Sequence, residues 1–210
     1  MGTKNSVMTK KVAMKAVTKS PAEATVLVLR TCNADMTSYG GSVWPKSGPV
    51  EAPDWKPTEE CGNGLHGFLW GEGDGELANW SPDAVWLVVR VAEKSIINLG
   101  GKVKFPRGVV EFAGSRFDAT NYISERRRGA IIGHTSTSGD YGTSTSGYGG
   151  TSTSGYHGTS TSGDRGTLVL TRYVDGRRRL VVLYVGEDGI LPNVPYGLDK
   201  DGRAVRADGK

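Results

Sequence analysis

The chain has little of what stabilises small secreted domains or crosses membranes. Of its 210 residues only 2 are cysteine, which is too few for a disulfide framework and favours a reducing compartment. Its longest apolar run, residues 84–89, falls far short of the roughly 20 residues that a membrane-spanning helix needs. No apolar run follows the basic N-terminus as it would in a signal peptide. We therefore expect a cytoplasmic protein without a membrane partner.

Signatures of catalysis and of metal binding are equally scarce. No Gly-x-Gly-x-x-Gly follows a predicted strand, no phosphate-binding Walker loop occurs, and no serine or cysteine lies in a nucleophile elbow. Cys61 and His66 lie close in sequence, but one thiol and one imidazole cannot form a four-ligand zinc site. We expect His66 to be a half-buried residue of a glycine-rich turn, and we expect neither a metal nor a cofactor.

Acidic residues are missing from the first 22 positions, which carry five lysines before Glu23. This composition predicts a flexible basic arm over residues 1–21. The net charge of +4 also reflects two arginine triplets, Arg126–Arg128 and Arg177–Arg179. The arm and the triplets leave nucleic acid open as a partner.

What the chain has in abundance is a repeat of eight residues. The tetrapeptide Thr-Ser-Thr-Ser, followed each time by glycine, occurs at 135–138, 143–146, 151–154 and 159–162. In extended strands this alternation places threonines on one side and serines on the other, and the glycines permit a turn in each unit. Two units then form a coil of about sixteen residues, and stacked coils form a β-solenoid. Leu168 and Leu170 continue the serine register, so we expect serines inside and threonines outside.

Three interpretations of the repeat remain open at this point. A flexible Gly/Ser/Thr linker fits the composition, but the strict register and the restriction of the aromatic residues to the turns argue against it. A short solenoid of about two coils needs support from its neighbours or from other copies, which favours a protein partner or self-association. Outward threonine rows are also what an ice-binding face requires. The predicted binding residues are Thr143, Thr145, Thr151, Thr153, Thr159, Thr161, Tyr141, Tyr148 and Tyr156.

The flanking sequence predicts a mainly β fold in four parts. These are the arm (1–21), an α+β N-terminal domain (22–132), the solenoid (133–166) and a C-terminal β-hairpin region (167–210). In the N-terminal domain, apolar runs at 24–30, 65–70, 84–92, 96–99 and 109–112 predict strands, and the proline-rich segment 39–57 predicts a loop. Residues 116–128 predict a helix with Phe117, Tyr122 and Ile123 on its buried face. Asp175-Gly176 predicts a tight hairpin.

Several of these segments resemble an uncharacterised family of phage and prophage proteins. The resemblance rests on strand 26–30, the motif Cys61-Gly-Asn-Gly-Leu-His66-Gly, strand 85–91, the array, and the β-rich segment 166–196. It implies a non-enzymatic accessory protein that presents its Thr/Ser surface to a partner or to itself. It also implies a location in the cytoplasm of a phage host or in the virion.

A second resemblance concerns the N-terminal domain alone. A strand that ends at Arg30, a Gly-Leu-His66 element and a later apolar strand are similar to the order of elements in ADP-ribosyltransferase-like folds. That resemblance implies an enzyme or a nucleotide-binding domain with Arg30, His66 and the strand residue Glu111 in one cleft. The three residues are the weak catalytic candidates of this sequence.

Overall fold

A computed structural model of the chain describes residues 23–209. These residues are mainly β-structure in three sheets, with one α-helix, which confirms the predicted fold class. The predicted basic arm, residues 1–21, lies outside the described residues.

The first sheet forms the framework of the N-terminal part. Its seven strands are β1 (Thr25–Cys32), β2 (Gly48–Glu51), β3 (Leu65–Leu69), β4 (Val85–Ala92), β5 (Ile97–Asn98), β6 (Val103–Phe105) and β7 (Arg107–Gly114). They are arranged in the order β2-β7-β4-β1-β3-β6-β5, and neighbouring strands are antiparallel. The central strands β1 and β4 pair along their full length. Both are nearly continuous apolar runs because both of their faces are buried.

The helix α1 (Arg116–Ser124) covers one face of this sheet. It begins where the hydroxyl of Ser115 accepts a hydrogen bond from the Asp118 N–H, and it buries Ala119, Thr120 and Ile123. It ends four residues before the predicted boundary at residue 128. The expectation that Phe117 faces inward is wrong, because its side chain is 62% exposed.

One strand lies in the segment that the sequence predicts to be loop. β2 contains Pro49 and pairs only at the edge of the sheet, against β7. An edge position is where a strand tolerates proline, since the missing N–H faces solvent. Short 3-10 helices at Tyr39–Gly41, Gly75–Leu77 and Glu93–Ser95 complete the connections.

The four eight-residue repeats, which we call octads, form two coils of a solenoid. Their strands are β8 (Thr135–Thr137), β9 (Thr143–Thr145), β10 (Thr151–Tyr156) and β11 (Thr159–Thr161). β8 and β10 pair in parallel, and so do β9 and β11, each with a shift of sixteen residues. Consecutive octads therefore lie on opposite sides of a coil, as the repeat predicts.

The C-terminal residues close one end of the solenoid. β12 (Thr167–Val174) stacks in parallel on β10 and returns as β13 (Arg177–Tyr184), while β14 (Tyr196–Leu198) pairs with β11 and β15 (Ala204–Arg206) pairs with β14. The resulting second sheet has the order β13-β12-β10-β8, and the third has the order β15-β14-β11-β9. Asp175 and Gly176 both have positive φ, at 50° and 72°, which confirms the predicted tight hairpin.

The other end of the solenoid rests on the N-terminal part. The Gly147 N–H donates to the Ile131 carbonyl at 2.9 Å, and the Gly133 N–H donates to the Tyr148 carbonyl at 2.8 Å. The ring of Tyr148 packs against Gly75 so closely that a Cβ there would meet a ring atom at 2.3 Å. The first coil is thus fixed to the sheet-and-helix framework by backbone hydrogen bonds and a buried ring.

Candidate functional site

The interior of the solenoid is built from serine. Six serines are at most 1% exposed: Ser144, Ser146, Ser152, Ser154, Ser160 and Ser162. Their hydroxyls bond in pairs: Ser152 with Ser144 at 2.9 Å and Ser160 with Ser154 at 3.0 Å across the coil, and Ser146 with Ser162 at 2.8 Å between the two stacked coils. Only small side chains fit between two sheets so close together, and paired hydroxyls remove the cost of burying them. The expected facing, serines inside and threonines outside, is confirmed.

The outer side of the second sheet carries an ordered array of threonines. Thr135, Thr151 and Thr167 are register partners on β8, β10 and β12, and Thr137, Thr153 and Val169 form the adjacent column. Neighbouring strands are about 4.7–4.9 Å apart, and alternate residues along a strand are roughly 6.5 Å apart. These six residues, which we call the threonine face, form a lattice of three rungs and two columns.

The outer side of the third sheet carries a smaller array. Thr143 pairs with Thr159 and Thr145 pairs with Thr161, giving two rungs that end at the antiparallel strand β14. We call these four residues the opposite face. Of the six predicted binding threonines, only Thr151 and Thr153 lie on the threonine face.

Four residues of the larger lattice were not among the predicted binding residues, namely Thr135, Thr137, Thr167 and Val169. The predicted coil of sixteen residues already implied which threonines share a face. Residues sixteen apart stack on one face, whereas residues eight apart lie on opposite faces.

The three predicted tyrosines have different surroundings. Tyr148 is 9% exposed and packs with Trp80 at 5.6 Å between ring centroids, so it joins the coil to the N-terminal part. Tyr141 and Tyr156 contact each other at the turns opposite the Tyr148 turn, which we call the free turns. Tyr156 also contacts Tyr173, with 5.4 Å between the ring centroids. Tyr141 is 75% exposed. Only the free-turn pair offers rings to a partner.

The N-terminal part has a separate cleft of about 1200 Å³, whose lining includes Arg30 and His66. An Arg30 Nη1–H donates to the His66 carbonyl at 3.4 Å, and the Gly62 N–H donates to His66 Nε2 at 3.4 Å. Burial, and then the charges of Lys102, Arg30 and Lys104, lower the pKa of His66 to about 4. The imidazole is therefore neutral near pH 7. His66 is half-buried, as expected, but it lies on β3 opposite Lys104 rather than in a turn.

Glu111 does not join Arg30 and His66. Its carboxylate forms an ion pair with Arg90 and accepts a hydrogen bond from the Tyr122 hydroxyl at 2.9 Å, on the side of the sheet that α1 covers. Burial acts to raise the pKa of Glu111, but the bonds from Arg90 and Tyr122 outweigh it and lower that pKa. Glu111 is absent from the lining of the cleft. Its geometry serves to hold the helix on the sheet.

The thiols and imidazoles are not gathered into a metal centre within residues 23–209, where no three His, Cys, Asp or Glu side chains cluster. Cys32 is buried near Arg30, and burial raises the pKa of its thiol, whereas Cys61 is exposed.

Comparison with known families gives a match in the N-terminal part. Residues 26–125 match a family model described as a domain of unknown function, DUF7666. This segment contains the first sheet and the helix, and its family description assigns no activity. No solved structure matches the chain.

The matching curated proteins carry a functional name. The relatives are ice nucleation proteins. One from Xanthomonas campestris pv. translucens is 44% identical over 101 residues, which is 47% of this chain and 6% of that protein. One from Pseudomonas syringae pv. syringae is 43% identical over 113 residues, 53% of this chain and 9% of that protein. Ice nucleation protein InaU from Pantoea ananas is 41% identical over 107 residues, 50% of this chain and 10% of that protein.

These relatives correct three expectations. The assignment to a phage and prophage family is wrong, because the matching proteins are bacterial ice nucleation proteins. The main functional prediction, a phage-type accessory protein, is wrong for the same reason, and the ice-binding alternative fits better than that prediction. The predicted location in a phage host's cytoplasm or in a virion is likewise overturned.

Across residues 23–209, every helix is too short or too polar to traverse a lipid bilayer. The chain spans only 6% to 10% of the length of the three relatives described.

Proposed function

We propose that the threonine face binds ordered water, so that this protein is an ice-binding protein of the ice nucleation type. The observation that carries the proposal is the lattice of three rungs and two columns on a parallel sheet. Threonine and valine have restricted χ1 angles, so their methyl and hydroxyl groups are held in fixed positions. A rigid, repeating pattern of such groups suits an ordered water layer. The ice nucleation relatives support the same assignment.

The threonine face suits this function better than the opposite face does. It has three rungs rather than two, and β12 continues its parallel stacking without interruption. On the opposite face the stacking direction reverses at β14, where Tyr196 pairs with Ser160. The lattice is therefore larger on the side of the second sheet.

Six side chains nevertheless form a small surface for a growing ice crystal. A solenoid gains area when coils are added or when copies associate, and residues 23–209 contain two complete coils. We propose that copies of the protein self-associate to enlarge the threonine face.

The two faces permit a matched test of ice binding. Thr153→Lys and Thr161→Lys change the same position of two consecutive octads, on the threonine face and on the opposite face respectively. We expect Thr153→Lys to abolish thermal hysteresis and ice-crystal shaping and to lower the freezing temperature of droplets toward that of buffer. Thr161→Lys should retain most of the wild-type effect.

Both side chains face outward, so each substitution should change the free energy of unfolding by only about 0.5 kcal/mol. Circular dichroism melting checks this. Wild-type protein that behaves as buffer does in all three assays, at millimolar concentration, would refute the proposed function.

A further inference from the structure

β13 is a free sheet edge with unsatisfied hydrogen-bonding groups. Within the described residues it pairs with β12 alone, in the antiparallel register Val174↔Arg177 to Thr167↔Tyr184. In a two-residue hairpin the pair that flanks the turn exchanges both hydrogen bonds, and the bonded pairs then alternate. The N–H and C=O groups of residues 178, 180, 182 and 184 therefore point away from β12. The strand has eight residues and no proline, so its whole edge can accept another strand.

An exposed apolar strip lies on the outer side of that edge. Leu180, Val182 and Tyr184 alternate along β13, so they share one face, and their side chains are 57%, 47% and 53% exposed. Val182 pairs with Val169 and Tyr184 pairs with Thr167, so the strip adjoins the threonine face directly. Contiguous exposed apolar side chains on an unpaired edge indicate an interaction surface.

The charges at the two ends of β13 have opposite signs. Arg177, Arg178 and Arg179 begin the strand, and the exposed pair Glu187 and Asp188 follows its end. A second copy that ran antiparallel would place its acidic turn beside the arginines, twice by symmetry. A parallel copy would place like charges together. The edge is therefore complementary to itself in one direction only.

We propose that β13 pairs antiparallel with β13 of a second copy of this chain, across a two-fold axis at Val182. In this register Val182 lies opposite its counterpart and Leu180 lies opposite Tyr184, while the turn that carries Glu187, just beyond the end of one β13, comes near Arg177 of the other copy. All of the outward backbone groups from 180 to 184 find partners, and the two apolar strips come side by side on one face of the joined sheet. A shift of the centre to residue 180 would set Tyr184 beyond the partner's strand and lose the contact between Arg177 and Glu187.

The dimer has a consequence for the threonine face. The axis runs perpendicular to the sheet, so the two four-stranded sheets merge into one of eight strands with both threonine faces on the same side. This role in ice binding rests on the proposed function, whereas the dimer itself does not. Sedimentation in liquid solution measures the dimer with no ice present.

Charge reversal tests the direction and the register. The 210-residue chain should sediment as a concentration-dependent dimer, and Arg177→Glu or Glu187→Arg alone should weaken the dimer about tenfold, because each creates two like-charge contacts. The double variant Arg177→Glu/Glu187→Arg should recover the wild-type dissociation constant. Arg128→Glu, an equal charge change at an exposed residue away from β13, is the control and should have no effect.

A disulfide tests the centre of the interface. In a Cys61→Ser background, Val182→Cys should form an intermolecular disulfide under mild oxidation, because directly opposed Cα atoms in a sheet lie about 5.5 Å apart, within disulfide range. Leu191→Cys, which is equally exposed, should not cross-link at comparable concentration.

The outcomes separate the two proposals. A wild-type chain that remains monomeric, or a double variant that fails to recover the dimer, would overturn the β13 interface whatever the ice assays show. A dimer that cross-links at Val182 while ice activity is absent would support the interface and refute the ice-binding function.

Discussion

At the scale of single residues, the interior of the solenoid is packed with serine hydroxyl groups where an ordinary protein core has methyl groups. Ser162 is the most connected of them, since its Oγ lies 2.8 Å from Ser146 Oγ and 3.3 Å from the carbonyls of Gly147 and Gly150. Such a network stabilises a fold only when every member has a partner, because an unpartnered buried hydroxyl is costly. The interior therefore depends on pairs rather than on individual side chains.

Removal of one hydroxyl of a pair should reveal this dependence. We expect Ser162→Ala to lower the free energy of unfolding by about 1–3 kcal/mol, because Ser146 then keeps a buried hydroxyl without its partner. The double variant Ser146→Ala/Ser162→Ala should cost less than the sum of the two single changes. Urea unfolding of the four proteins measures the difference, with Thr161→Val, at a half-buried and outward-facing residue, as the control. Strictly additive costs would show that the two hydroxyls are not coupled.

At the scale of elements, the sequence predicts what local chemistry determines. The Asp175-Gly176 hairpin follows from turn geometry, and the solenoid facing follows from the octad with Leu168 and Leu170 in register. Tertiary position decided the rest. β2 forms despite Pro49 because it lies at an edge, and Glu111 pairs with Arg90 because β7 lies beside β4 in the sheet. The threonines separate onto two faces only once the coil closes.

The turns that end each octad are elements with unequal roles. Tyr148 and Tyr156 both follow Thr-Ser-Thr-Ser-Gly, but Tyr148 is buried against Trp80 and Gly75 while Tyr156 is half-buried at the free turns. The same sequence position therefore serves as an anchor in one turn and as surface in the next.

Truncation of the anchor should be much the more damaging of the two changes. We expect Tyr148→Ala to destabilise the protein by roughly 3 kcal/mol, as the loss of a large buried aromatic side chain does. Tyr156→Ala, the matched control, should cost about 1 kcal/mol or less. Thermal unfolding followed by tryptophan fluorescence compares them, and equal losses in the two variants would contradict the anchoring role of Tyr148.

At the scale of the whole molecule, the array lies between two different ends. The N-terminal part contacts the first coil through Ile131, Gly133 and the Tyr148 turn. At the other end Leu168, Leu170 and Tyr196 form an apolar cluster that replaces the serines and closes the interior. β12 must stack on β10, and β14 must find β11, for that closure to form.

A coil contains two octads, so the number of octads, even or odd, determines on which side of the solenoid the C-terminal hairpin begins. Duplication of residues 143–158 adds one whole coil and leaves both ends facing as before, so we expect the melting temperature to stay within a few degrees. Duplication of residues 143–150 adds half a coil and carries the C-terminal hairpin to the wrong side, where β14 no longer finds its partner strand. That variant should melt much lower by circular dichroism, and equal melting of the two would contradict the sixteen-residue coil. The gene can therefore lengthen this array only by even steps, although its sequence repeats at every octad.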